Sequence, residues 1–188
     1  MLTFRFMTRA CLAAVMFIAA TSSIASAGSY LGLGIGTGPA INDQTDRLAP
    51  DGRSGRLLVG TRFGRFSAEG SVSGYSLLFD QSGGMIPFGD AYQASAALKA
   101  SLPLGNNFEL FGRGGLQHTW FRAKNSELDA SGSGYLLGAG FEYRLNLILG
   151  QGSIFVDYQY NKARLENAHL MFGDTSTRMW TLGLTVGI

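Results

Sequence analysis

Five ionisable residues stand alone among small and apolar neighbours. They are Glu69 in FSAEGSVSGY, Lys99 in ASAALKASL, Arg113 in ELFGRGGL, Glu142 in GAGFEYRL and Asp157 in IFVDYQY. Acids and bases in such settings need each other, because an unpaired charge with little water around it is costly. Ion pairing is therefore the chemistry they offer. Nucleophilic catalysis would need a histidine beside a serine, with a third group to orient it. Only His118 in LQHTW and His169 in ENAHLMFGD are available. The first has the parity of an apolar strand face. The second lies in a polar connection near Glu166, Asp174 and Ser176. The chain is read as no enzyme. No metal-ligand spacing or phosphate loop is present, and no cofactor is expected. GLGIGTG is a strand with a glycine face rather than a dinucleotide turn.

The elements that must hold these residues begin after a leader. MLTFRFMTRACLAAVMFIAATSSIASA carries Arg5 and Arg9, an apolar run from Ala10 to Ala20, and the small-residue site Ala25-Ser26-Ala27. That is the layout of a secretory signal. The run is shorter than the ~20 residues that span a bilayer. Cleavage is expected after Ala27, giving a signal peptide over 1–27 and one domain over 28–188. The sole cysteine, Cys11, lies at the start of the run, which excludes a lipoprotein signal, and it leaves with the leader. Without Arg5 and Arg9 the domain has 13 basic and 13 acidic residues, so nothing in its charge points to nucleic acid.

The domain alternates throughout. Leu31, Leu33 and Ile35 oppose Gly32, Gly34 and Gly36. Leu57, Val59, Thr61 and Phe63 oppose Arg56, Leu58, Gly60 and Arg62. Similar patterns run through 66–75, 91–102, 108–120, 135–145 and 154–161. The last stretch sets Trp180, Leu182, Leu184, Val186 and Ile188 against Met179, Thr181, Gly183, Thr185 and Gly187. Period two marks strands, and eight is an even number at the low end for bacterial outer-membrane barrels. The connections run long, short, long, short, long, short, long. Short turns facing the periplasm and long loops facing outward are the outer-membrane plan. A soluble barrel would also alternate, but its exposed face would carry more Lys, Glu and Thr. Here the polar side is dominated by glycine and serine, which fit a narrow bore. Tyr92, Trp120, Tyr135, Tyr160 and Trp180 form one expected aromatic girdle, and Phe63, Phe66, Phe108 and Tyr143 the other. The reading is all-β: an eight-stranded antiparallel up-and-down transmembrane barrel in the outer membrane of a Gram-negative bacterium. The last strand must pair with the first to remove both edges.

The stretches FSAEGSVSGY, ALKASLPLGNNFELFGRGGL, GAGFEYRL and IFVDYQY resemble the OmpA-like eight-stranded outer-membrane barrel family, transmembrane domain only. The resemblance implies that the C-terminal strand is what the barrel-assembly machinery recognises, here ending on Ile188 rather than phenylalanine. It also implies an interior network of Glu69, Lys99, Arg113, Glu142 and Asp157, with Phe155 where the family has a further arginine. Counted from each short turn, these five charges fall in one layer ~10 Å above the periplasmic rim. Glu69–Lys99 and Arg113–Glu142 are the expected pairs. Neither histidine matches the His-x-Ser-Asn motif of lipid A deacylases. The expected function is a structural barrel with a largely closed, ion-paired lumen. The alternatives are a surface protein that binds an extracellular ligand through its loops, or a narrow pore. Outer-membrane lipid and lipopolysaccharide are expected partners, and the barrel is expected to be a monomer.

Overall fold

The computed structural model describes residues 28–41, 53–81, 84–123, 129–147, 150–166 and 171–188; the expected signal segment lies outside them. The strands are β1 (Gly28–Thr37), β2 (Ala40–Ile41), β3 (Arg53–Phe63), β4 (Phe66–Gln81), β5 (Gly84–Pro103), β6 (Phe108–Ala123), β7 (Asp129–Leu147), β8 (Gly150–Glu166) and β9 (Met171–Gly187). All neighbours pair antiparallel in the order β1-β3-β4-β5-β6-β7-β8-β9, and β1 also pairs with β9. The closing seam runs from Tyr30↔Gly187 to Gly36↔Thr181. β2 pairs only with β9, continuing the first stave, so the barrel has eight staves. Closure satisfies backbone groups that a membrane cannot.

The barrel is apolar outside and mainly polar within. Leu33, Ile35, Leu98 and Leu116 are 66–73% exposed, whereas Arg56, Lys99, Glu142 and Asp157 are at most 5% exposed. A soluble barrel would have the opposite arrangement. Two small apolar clusters also fill the bore. Leu58, Phe111 and Phe155, joined by Tyr30, lie nearer the short turns. Tyr75, Ala91 and Met179, joined by Phe121, lie nearer the other end. Glycine makes room for three of these rings. A side chain at Gly60 would strike Tyr30, one at Gly140 would strike Phe111, and one at Gly183 would strike Phe155. The Gly64-Arg65 turn needs glycine for a different reason, since Gly64 has a φ of 64°.

The long connections differ from the sequence expectation. Alternation stops at Tyr75 and resumes at Ala91, which predicts a long loop over 76–90, but β4 and β5 stay paired to Gln81↔Gly84. β8 and β9 likewise stay paired to Glu166↔Met171. Cross-strand backbone hydrogen bonds carry a hairpin on whether or not its side chains alternate, so the end of alternation did not mark the end of the strand. The arms of β5 run eight residues beyond Tyr92, roughly 20 Å past the outer girdle along tilted strands.

Candidate functional site

The lumen holds one continuous chain of alternating charge. It starts at the short-turn rim, where Arg144 contacts Glu109. Arg62 lies 2.6 Å from Glu109 and 3.9 Å from Glu142. Lys99 follows, 2.5 Å from Glu142 and 3.6 Å from Glu69. Arg113 bridges Glu69, at 3.5 Å, to Asp157. Arg56 ends the chain 2.9 Å from Asp157. Five cations and four carboxylates thus alternate, and every carboxylate lies between two cations.

Neutral donors and acceptors complete the network. The Tyr30 hydroxyl donates to Glu69 Oε1 at 2.7 Å, and Ser153 donates to Glu142 Oε1 at 2.6 Å. Arg56 and Arg113 each donate to Gln159 Oε1 at 2.6 Å. Beyond them Gln93 donates to Gln117 at 2.6 Å, and Asn161 donates to Thr177 at 3.3 Å. The Lys99 ammonium also sits 4.3 Å from the centre of the Phe111 ring, a cation–π distance. Between the charges and the rings a void of about 10 Å³ remains. That is room for about one water.

All five charges singled out in the sequence are in this chain, but not in the expected layer. Glu69–Lys99 is formed. Arg113–Glu142 is not: Arg113 lies opposite Gly138, while Glu142 lies opposite Glu109, four residues nearer the rim. The turns end at different heights, since the β7–β8 hairpin continues to Leu147↔Gly150. Counting residues from each turn therefore merges two levels. Arg56, Arg62, Glu109 and Arg144 were missed as members of the network. Their inward parity was readable, because Arg56 and Arg62 alternate with Leu57, Val59 and Phe63. The arginine that the resemblance would place at Phe155 has a spatial substitute: Arg56, on another strand, reaches Asp157.

His118 is outward, as its parity indicated. Its Nδ1 is 2.8 Å from Ser133 Oγ, and its ring meets Trp120 edge-on. His169 lies outside the described residues. The C-terminal residues Trp180, Leu182, Leu184, Val186 and Ile188 all face outward, 48–69% exposed.

The profile of the outer membrane protein β-barrel domain matches residues 10–187. The chain belongs to that family. It is a small β-barrel of the Gram-negative outer membrane. Among solved structures it is similar in fold to Ail, the attachment invasion locus protein of Yersinia pestis, at 17% identity and a TM-score of 0.56 over 86% of this chain and 99% of that one. It is also similar to Neisserial surface protein A, at 14% identity and a TM-score of 0.59 over 85% and 97%. Ail has also been solved in complex with the heparin analogue sucrose octasulfate, and that structure matches at 18% identity and a TM-score of 0.56, over 86% of this chain and 99% of that one. No curated protein sequence matches the chain. In the bore the cluster of Leu58, Phe111 and Phe155, with Tyr30 packed against it, lies beside the Arg113–Asp157 pair, and both groups line the same small void.

Proposed function

We propose that this outer-membrane barrel is a structural protein with a sealed lumen, and that its charge chain locks the eight staves together. The supporting observation is that alternating ion pairs and three aromatic rings meet in the bore, leaving about 10 Å³ between them. The pairs join strands distant in sequence, such as Arg56 to Asp157, 101 residues apart. Such a network favours one strand register over its neighbours. The chain is exported by a signal cleaved after Ala27. It assembles through its C-terminal strand as a monomer. Proteoliposomes holding the refolded protein test the seal: they should swell in small sugars no faster than empty vesicles. Swelling at porin-like rates would overturn it.

A second reading is binding of an extracellular ligand at the outer end. It is favoured by the paired arms of β4–β5 and β8–β9, which project beyond the girdle. The similar barrel Ail has been solved with a heparin analogue. Retention on immobilised heparin that is lost when the arms are shortened would support this reading.

A further inference from the structure

We propose that the mouth of the barrel at the short turns, the periplasmic end, is a docking site for an acidic peptide. The asymmetry between the two ends starts in the sequence. The three short connections, 64–65, 104–107 and 148–149, hold Arg65 and no Asp or Glu. The long connections at the other end hold Asp43, Asp46, Asp51 and Glu127. The fold adds Arg62 and Arg144 to the short-turn mouth, with side chains 24% and 43% exposed. The acids closest to them, Glu109 and Glu142, are buried at 4% and 5% exposure. The surface that this end presents is therefore cationic.

The charges deeper in the bore cancel: Lys99, Arg113 and Arg56 stand against Glu69, Glu142 and Asp157. At the mouth, Arg62, Arg65 and Arg144 stand against Glu109 alone, leaving two positive charges. The chain ends do not change this sum. Ile188 donates its N–H to the Ser29 carbonyl, so the C-terminal carboxylate lies beside the amine that cleavage after Ala27 creates. Arg62 and Arg144 converge on one carboxylate, Arg62 on Glu109 Oε2 and Arg144 on Oε1. Each guanidinium has five N–H donors, so both keep donors free for a second carboxylate. A leaflet lipid is poorly placed to supply it. Arg62 reaches from β3 to Glu109 on β6, a strand that is not its neighbour, so the cluster lies inside the ring of staves rather than on the wall that lipid touches. The Asn106 and Asn107 side chains on the adjoining turn are exposed, and Asn107 already accepts from the Arg144 backbone N–H. Amides at the edge of a guanidinium pair suit a peptide, whose backbone and carboxylates alternate. The Leu58, Phe111 and Phe155 seal lies deeper, so the peptide docks at the rim without entering the bore.

Fluorescence anisotropy of dye-labelled tetraglutamate tests the site. The refolded protein is held in phosphatidylcholine nanodiscs, which leave both ends of the barrel open to solvent. Tetraglutamate should bind, and tetraglutamine with the same dye should not. Binding should weaken as salt rises, because the cations are partly exposed. Arg144→Gln should weaken binding about tenfold, the effect of one charge-assisted hydrogen bond. Glu109→Gln should strengthen it about tenfold, because it releases both guanidinium groups from their resident carboxylate. A purely structural role for the cluster would not produce that gain. Arg53→Gln, an exposed cation at the opposite end of β3, should change nothing. Heat-modifiable migration on gels confirms that each variant is folded. No binding by the wild type, weaker binding by Glu109→Gln, or an Arg53→Gln effect as large as that of Arg144→Gln would overturn the proposal. So would stronger displacement of the peptide by inorganic phosphate than by acetate, which would make this a phosphate site. Loss of binding when phosphatidylglycerol replaces a quarter of the lipid would assign the cations to the leaflet and overturn it too.

Discussion

Asp157→Asn isolates the charge chain at its most buried point. The Asp157 side chain is 1% exposed and lies between Arg56, at 3%, and Arg113, at 5%. Asparagine keeps the shape but removes the charge, leaving two guanidinium groups facing each other across a dry bore. Orphaning a buried charge in this way costs about 3–5 kcal/mol. Urea unfolding has a slope of about 1–3 kcal/mol per molar, so a loss near 4 kcal/mol lowers the midpoint by roughly 2 M. The assay is urea unfolding of the refolded protein in vesicles, followed by gel migration and tryptophan fluorescence. Arg56→Met should be measured alone and in combination with Asp157→Asn. The double variant has one orphan fewer, so its loss should fall short of the sum by at least about 1 kcal/mol. Two results would refute the reasoning. One is a single-variant loss below about 1 kcal/mol, the size of an exposed pair. The other is strict additivity, which would mean that Arg56 and Asp157 do not meet.

Lys99 should couple more strongly to Glu142 than to Glu69, because the contacts are 2.5 and 3.6 Å; two double-mutant cycles with Lys99→Met, read in urea, check the order. Gly60→Ala should destabilise the barrel by driving a methyl group into the Tyr30 ring, and should cost far less in a Tyr30→Ala background; thermal gel-shift curves of the four proteins show this. Deleting Thr181–Ile188 removes the whole β1–β9 seam from Tyr30 to Gly36, and no heat-modifiable barrel should form. N-terminal sequencing of the membrane-bound protein should begin at Gly28, since Ala25-Ser26-Ala27 is the small-residue cleavage site.

The architecture was legible because alternation is local. Each of Leu31, Leu33 and Ile35 tells which way its neighbours point, and the pattern repeats until the sheet closes. The inward direction of the five charges followed from the same parity. Their partners did not, because partnership depends on register and stagger, which no single strand encodes. Arg113 looked level with Glu142 when counted from the turns, yet the longer β7–β8 hairpin sets Glu142 four residues lower, opposite Glu109. Arg56 and Asp157 lie on strands that are not neighbours, and only the narrowness of the bore lets them meet. The hairpin arms past residue 75 were illegible for another reason: their backbones pair without an alternating side-chain pattern to announce it.

Single-channel recording in planar bilayers tests the sealed lumen most directly. The refolded wild-type barrel should insert without conductance steps. A variant combining Phe111→Ala, Arg113→Ala and Asp157→Ala should show them, because it removes one ring and the pair that span the bore beside Leu58 and Phe155. Regular steps from the wild-type protein, unchanged in the triple variant, would contradict the account.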